Sequence, residues 1–276
     1  MGQSSYTTRP NRGYPGVREN EGIREDPAFF VELADVCAGL SRAASARVVV
    51  LAAAGKHFCA GMSLDVFTDP RFAGDATPEA RWNMTRRVEE LQAPLTAFEL
   101  LPMPVIAVIQ RGCVGGGFDL AAACDLRIAT EDAFFQIQET NVAMMADLGS
   151  LQRLPKLIAP AIVREFAYTG RRWTAREAAA AGFINGIDPD HESALAAARE
   201  MATEIAKRSP IAVAASKAAI LHAMDHSVPD SLRQAAALQD MVWSTERVNN
   251  AARAVRAKTT ASYSALASFR SLGDLA

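Results

Sequence analysis

The stretch Arg111-Gly112-Cys113-Val114-Gly115-Gly116-Gly117-Phe118-Asp119 decides how this chain is read. An apolar, β-branched run at 105–109 leads into it, and a helix-like segment at 117–124 leaves it. A strand that turns through glycine into a helix exposes backbone N–H groups where the helix begins, at the positive end of its dipole. Such a place holds negative charge, whether a phosphate or an oxygen that becomes negative during a reaction. Three acids follow in order: Asp119, Glu139 and Asp147. Taken singly, the glycines would mark a tight turn, Asp119 a helix cap, and the other two acids a solvated loop. Their joint spacing favours glycines that hold an oxyanion and carboxylates that move protons. A dinucleotide-binding turn is set aside, because Gly115-Gly116-Gly117 lacks the G-x-G-x-x-G spacing.

Around this stretch, 276 residues, half of them hydrophobic, are enough for one large domain or one domain with a smaller appendage. The net charge is −2, and basic residues come only in short pairs such as Arg86-Arg87, so no patch suits a nucleic-acid backbone or an anionic membrane. Cys37, Cys59, Cys113 and Cys124 form no C-x-x-C pair and histidine is scarce, which argues against a disulfide framework or a zinc site; no metal is expected. Reduced, buried thiols of an intracellular protein are the simpler account. No apolar run reaches transmembrane length, residues 1–16 lack the apolar core of a signal peptide, and Tyr6 stands where a myristoylation signal wants Ser or Thr. Residues 273–276 carry no peroxisomal Ser-Lys-Leu signal. The expected compartment is the cytoplasm, with the mitochondrial matrix as the alternative.

In chain order, residues 1–26 are polar and rich in Gly, Pro, Arg and Glu, and read as loop or disorder with one short strand near 6–8. Asp26-Pro27 predicts a helix start, and Phe29, Phe30, Leu33, Cys37 and Leu40 carry that helix to about residue 44. Residues 47–53 read as a buried strand of a parallel sheet, 55–64 as a loop and 67–80 as irregular chain. A helix at 82–101 is expected to be interrupted near Pro94. Strands are predicted at 105–109, 126–129 and 133–136, so strand and helix alternate and the fold class is α/β. Helix is expected over 148–170 with a turn at Ala159-Pro160. Thr174-Ala175-Arg176-Glu177 fits a capping box, Gly182 ends that helix, and Phe183-Ile184 leads a last strand. From residue 192 onward the pattern is helical. The implied organisation is a divergent or disordered N-terminal segment (1–26), a catalytic core (27–190) and a C-terminal helical region (191–276).

These residues carry a resemblance. His57-Phe58-Cys59-Ala60-Gly61-Met62-Ser63-Leu64, the block 112–127, Ser209-Pro210 and Ser216-Lys217 are similar to the crotonase superfamily, the enoyl-CoA hydratase/isomerase family. Within it the chain looks most like the Δ3,5-Δ2,4-dienoyl-CoA isomerases, on the block 132–139, Ala146-Asp147-Leu148-Gly149, the run 151–156 and Asp225-His226-Ser227-Val228. Ordinary hydratases of the family carry glutamate at the first two acidic positions; here the first is Asp119. The third acid, Asp147, resembles the dienoyl isomerases. The N-terminus departs from the pattern: only Thr8-Arg9-Pro10 remains of an Asn-Arg-Pro motif, followed by an unmatched insert at 11–25 in a region that helps hold CoA.

The resemblance implies a crotonase-like spiral of β-β-α turns with a C-terminal all-helical trimerisation region, and a homotrimer or hexamer. It implies an acyl-CoA thioester substrate, with CoA part of the substrate and no separate cofactor. The implied reaction, within fatty-acid β-oxidation, moves a proton from C2 to C6 of a 3,5-dienoyl-CoA, giving the 2,4-dienoyl-CoA. The backbone amides of Met62 and Gly116 would form the oxyanion hole. Glu139 would exchange the proton at C2 and Asp147 that at C6, with Asp119 orienting its neighbours and Ala60, Gly61, Leu64 and Gly115 lining the substrate. His57 reads as a structural loop residue, and Met144 and Met145 as pocket lining or core. The alternatives are a 2-enoyl-CoA hydratase or Δ3-Δ2-enoyl-CoA isomerase of the same family, and a crotonase-fold binding or structural subunit that no longer catalyses.

Overall fold

The computed structural model describes residues 23–69, 72 and 77–270. The expected strand at 6–8, the Thr8-Arg9-Pro10 remnant and the last residues, 271–276, lie outside them. Helix α1 (Pro27–Ala43) starts as its sequence dictates: the Asp26 side chain accepts from the Phe29 N–H, and Pro27 fills a first-turn position whose N–H would be unpaired anyway. Two sheets follow from alternating strands. One runs β2 (Val49–Ala52), β4 (Val105–Ile109), β6 (Leu126–Thr130) and β9 (Gly186–Asp188), all parallel. The other runs β1 (Ile23–Glu25), β3 (Cys59–Met62), β5 (Gly112–Val114), β7 (Phe134–Gln136) and β8 (Trp173–Thr174), parallel except for the last pair. From β2 to β7 each strand of the first sheet hands the chain to a strand of the second, and a helix then carries it back. The result is a spiral of β-β-α turns, the expected α/β fold.

Several boundaries differ from the sequence expectation. Ile23–Glu25 is a strand rather than loop, because its edge pairs with β3 in the register Ile23 to Cys59 and Glu25 to Met62. Likewise 59–62 and 112–114 are strands inside segments expected to be loop or turn. The last strand is Gly186–Asp188, just beyond Phe183-Ile184, whose side chains belong to the core. Helix α2 (Leu64–Thr68) follows β3, and α3 (Pro78–Glu99), capped by Thr77, is continuous through Pro94. Proline removes one rung of the ladder. Here Leu91, Pro94, Leu95 and Phe98 are all buried on one face, packed against α1, and that packing outweighs the lost bond.

Helix α4 (Gly116–Ala122) leaves the glycine turn, and α5 (Ser150–Leu157), α6 (Pro160–Thr169) and α7 (Ala175–Ala180) complete the core. The Thr174–Glu177 capping box forms in both directions. Behind α4, Phe118, Phe135, Trp173 and Phe183 form a fully buried aromatic cluster, with Phe118 edge-on to Phe183 at 5.4 Å. That cluster fixes the rotation of α4 and so the direction of the next residue, Asp119.

Helix α8 (His191–Ala206) lays Ala194 and Ala198 on Ile106, Val108 and Ile128 of the first sheet. Helices α9 (Pro210–Ala223), α10 (Val228–Val242) and α11 (Thr245–Arg256) follow, and residues 257–270 have no regular structure. Lys217 ties α9 to the core through Asp125 at 2.7 Å, and the same carboxylate oxygen accepts the Val105 N–H. No helix among the described residues is long and apolar enough to cross a membrane.

Candidate active site

The site is built by glycines that let three elements approach. Gly115 sits at φ 57° and ψ −128°, a conformation that turns β5 into α4, and its N–H donates to the Gln136 carbonyl at 3.0 Å. Gly116 is the first helical residue, so its N–H has no intrahelical acceptor. A Cβ at Gly117 would lie 2.3 Å from that of Cys59, so only glycine lets α4 seat this close to β3. Close seating brings Gly115, just before α4, beside Gly61 on β3. Gly61 turns at φ 85° against the Val114 carbonyl.

Asp119 lies one turn into α4 and is fully buried. Its Oδ1 accepts from the Ser150 N–H at the start of α5, while Oδ2 has no partner among the described residues. Burial, and then the nearby Glu139, push its carboxyl up to about 7, against the pull of Ser150 and Arg153. Glu139 opens a 3₁₀ turn (Glu139–Val142), is half-buried, and brings Oε1 to 3.3 Å from where a Cβ on Gly115 would sit. Its Oε2 is unpartnered, and burial and Asp147 raise its pKa, while the backbone amides of Glu139 and Gln138 favour its ionised form. Asp147, in the loop before α5, is half-buried and raised by burial, and its backbone carbonyl accepts from the Gln92 side chain at 2.6 Å. A charge on Glu139 is felt at Asp119, and one on Asp147 is felt at Glu139, so the three acids expected from the sequence are brought together.

The remaining expected residues are placed as follows. Met62 is half-buried and Gly115 buried beside the carboxyl cluster, whereas Ala60 and Leu64 are exposed at the edge formed by β3 and α2, Leu64 to 60%. His57 stands apart: its Nδ1 accepts the Gly112 N–H at 3.1 Å, and burial with Lys56 and Arg111 lowers its pKa, so it holds a loop as a neutral ring. Met144 is half-buried and Met145 is 61% exposed, so the latter is not core. A cavity of about 790 Å³ meets the cluster at Asp147 and continues between α3, α5 and α9, past Leu100, Leu148, Leu157 and Leu221 to Lys156 and Asp225.

One residue was not foreseen. Glu25, the last residue of β1, is fully buried with neither carboxyl oxygen partnered, and its Oε2 lies 1.9 Å from where a Cβ on Gly116 would be. Its local sequence is polar and gives no sign of burial; the one clue is the Asp26-Pro27 helix start immediately after it, which fixes where the preceding residue must stand.

Comparison with known proteins agrees with this geometry. The sequence model of the family described as enoyl-CoA hydratase/isomerase matches residues 26–264. The human protein named Delta(3,5)-Delta(2,4)-dienoyl-CoA isomerase, mitochondrial, is 40% identical over 224 residues, covering 79% of this chain and 68% of that protein. A peroxisomal protein of the same activity name from Arabidopsis thaliana is 34% identical, with 81% of each chain covered. The crystal structure of enoyl-CoA hydratase from Bacillus anthracis superposes with a TM-score of 0.79 at 32% identity, over 89% of this chain and 92% of that one. The spiral fold, the glycine turn with its acids and these matches lead to one conclusion: the chain belongs to the enoyl-CoA hydratase/isomerase family.

Proposed function

We propose that the protein is a Δ3,5-Δ2,4-dienoyl-CoA isomerase acting on 3,5-dienoyl-CoA thioesters in fatty-acid β-oxidation. The observation that carries this reading is the chain of three coupled carboxyls, Asp119, Glu139 and Asp147, strung from the glycine turn towards the cavity. The relatives named above as dienoyl-CoA isomerases support it. Glu139, whose carboxylate form the local amides favour, takes the proton from C2. The electrons move onto the thioester oxygen, and the N–H groups of Met62 and Gly116 hold the resulting enolate, each such donor lowering the barrier by about 3 kcal/mol. Asp147, whose pKa burial raises, delivers a proton to C6 as the double bonds shift to 2,4. Proton return from Glu139 to Asp147 through solvent resets the pair. Asp119, fixed by Ser150, orients the neighbouring groups. Two acids serve because one short carboxylate does not span C2 to C6.

Ala60, Gly61, Leu64 and Gly115 are proposed to line the thioester end, and the cavity beyond Asp147 to take the acyl chain past C6. The reaction needs no group besides the CoA that the substrate brings. A homotrimer, or a hexamer of two trimers, is proposed through the helical C-terminal region, where Val228, Leu232, Met241, Trp243 and Val255 leave large apolar side chains exposed. The cytoplasm is the proposed compartment, the mitochondrial matrix its alternative, since the human relative carries mitochondrial in its name.

A 2-enoyl-CoA hydratase is the second reading, favoured by the similar Bacillus anthracis structure. A hydratase grips one water between two acids, and Asp119 is short for that work. Absorbance assays separate the two: conjugated 2,4-dienoyl-CoA should appear from a 3,5-dienoyl-CoA much faster than crotonyl-CoA is hydrated. Hydration without isomerisation would reverse the assignment, and inertness towards both would favour a non-catalytic subunit.

A further inference from the structure

Glu25 is a carboxyl that neither the spacing of the acids nor the proposed proton transfer uses. It ends β1, paired in register with Met62, and its side chain fills the space left open by the missing side chain of Gly116. Of the two residues whose amides are assigned to the thioester oxygen, Gly116 therefore adjoins this carboxyl directly, and Met62 is the strand partner of the residue that carries it. It is fully buried, and both of its oxygens lack a partner among the described residues. A buried carboxyl with nothing to bond to is costly, and that cost is recovered when a ligand supplies the partner.

Resting on the acyl-CoA reading above, we propose that Glu25 is a further catalytic residue, donating a hydrogen bond from its carboxyl group to the thioester oxygen alongside the amides of Met62 and Gly116. Its surroundings keep the donor proton in place. Burial first, then the charges of Asp119 on α4 and Glu139 on the 3₁₀ turn, hold its pKa well above the usual carboxylate range. The thiols of Cys59 on β3 and Cys113 on β5 also feel its charge, and both are themselves raised by burial. Among the described residues, Arg153 acts on Asp119 in this cluster. A neutral carboxylic acid in an apolar site is a strong donor to an enolate oxygen, and no proton need be transferred: the O–H bond shortens its contact as charge develops and relaxes as it leaves.

The test uses the full chain with Glu25→Leu and Glu25→Gln, read by kcat and KM on a 3,5-dienoyl-CoA and by thermal melting. Leu should lower kcat by about 10²-fold with little change in KM, while Tm stays level or rises because an unpartnered carboxyl is gone. Gln, whose amide still donates, should recover most of kcat near neutral pH. Its activity should also decline less at alkaline pH than that of the wild type, because position 25 can no longer ionise, while Asp119 and Asp147 titrate in both. A Leu variant with wild-type kcat overturns the proposal, as does a kcat loss that tracks a fall in Tm and that Gln fails to rescue. Should the wild type hydrate crotonyl-CoA but not isomerise, only the isomerase reading falls, and the same comparison is made on hydration, which builds the same enolate oxygen. A wild type inert towards both thioesters overturns both.

Discussion

Gly117→Ala is the substitution whose consequence follows most directly from the geometry. The added Cβ would meet Cys59 Cβ at 2.3 Å and Sγ at 2.7 Å, with Cys59 Cα at 3.5 Å. Carbon atoms in contact settle at about 3.5–4.0 Å, so α4 and β3 must part by more than about 1 Å. Both residues are buried, and Cys59 is paired to Cys113 on β5, so the strand cannot simply swing away. Overpacking of this kind costs about 1–3 kcal/mol, and alanine returns roughly 0.5–1 kcal/mol by reducing backbone freedom in the unfolded chain. The net destabilisation should be up to roughly 2.5 kcal/mol, read as a lower urea midpoint by circular dichroism. Activity should fall further than stability, by about 10²-fold in kcat, because parting α4 from β3 separates the Gly116 and Met62 amides. Adding Cys59→Ala should restore little, since the nearest contact is Cβ rather than sulfur. A Gly117→Ala protein with the wild-type urea midpoint and kcat would refute this account of how the glycines place the site.

Three other outcomes follow from the same structure. Asp119 has a folded pKa of about 7, above its unfolded value, so its contribution to stability is full below about pH 4 and lost as pH rises through 7. Glu25, Glu139 and Asp147 are raised too and act with the same sign. Asp119→Asn should therefore unfold at a higher urea concentration than the wild type at pH 8, by up to about 4 kcal/mol, and should lose that advantage towards pH 4. Lys217→Met leaves Asp125 without its cation at the α9 contact and should cost about 3 kcal/mol in urea melts. His57→Phe removes the acceptor for the Gly112 N–H and should cost about 1–3 kcal/mol while leaving the pH profile of kcat in place; a lost limb of that profile would make His57 a proton carrier.

What the sequence shows and what it conceals divide along a physical line. Asp26-Pro27, the Thr174–Glu177 capping box and the run Val105–Ile109 are local signals: each is satisfied within a few residues, and each element appears where its chemistry places it. Strands β1, β3 and β5 are three or four residues long and hold small or polar residues such as Cys59-Ala60-Gly61-Met62. Their pairing partners lie tens of residues away, so no short window shows them. Pro94 misleads because the buried face of α3 outweighs one missing hydrogen bond. The three acids are legible because they follow the glycine turn at spacings that the strands and loops preserve. Glu25 is not, since only the parallel pairing of β1 with β3 carries it to Gly116.

The central claim is that Glu139 serves C2 and Asp147 serves C6. The most direct measurement is deuterium incorporation at each carbon of a dienoyl-CoA in D₂O, followed by NMR, for the wild type, Glu139→Gln and Asp147→Asn. The account predicts exchange at both carbons in the wild type, exchange at C2 alone in Asp147→Asn, and overall isomerisation down by about 10²–10⁴-fold in either variant. Exchange at C6 that persists in Asp147→Asn, or that vanishes only together with exchange at C2, would contradict it.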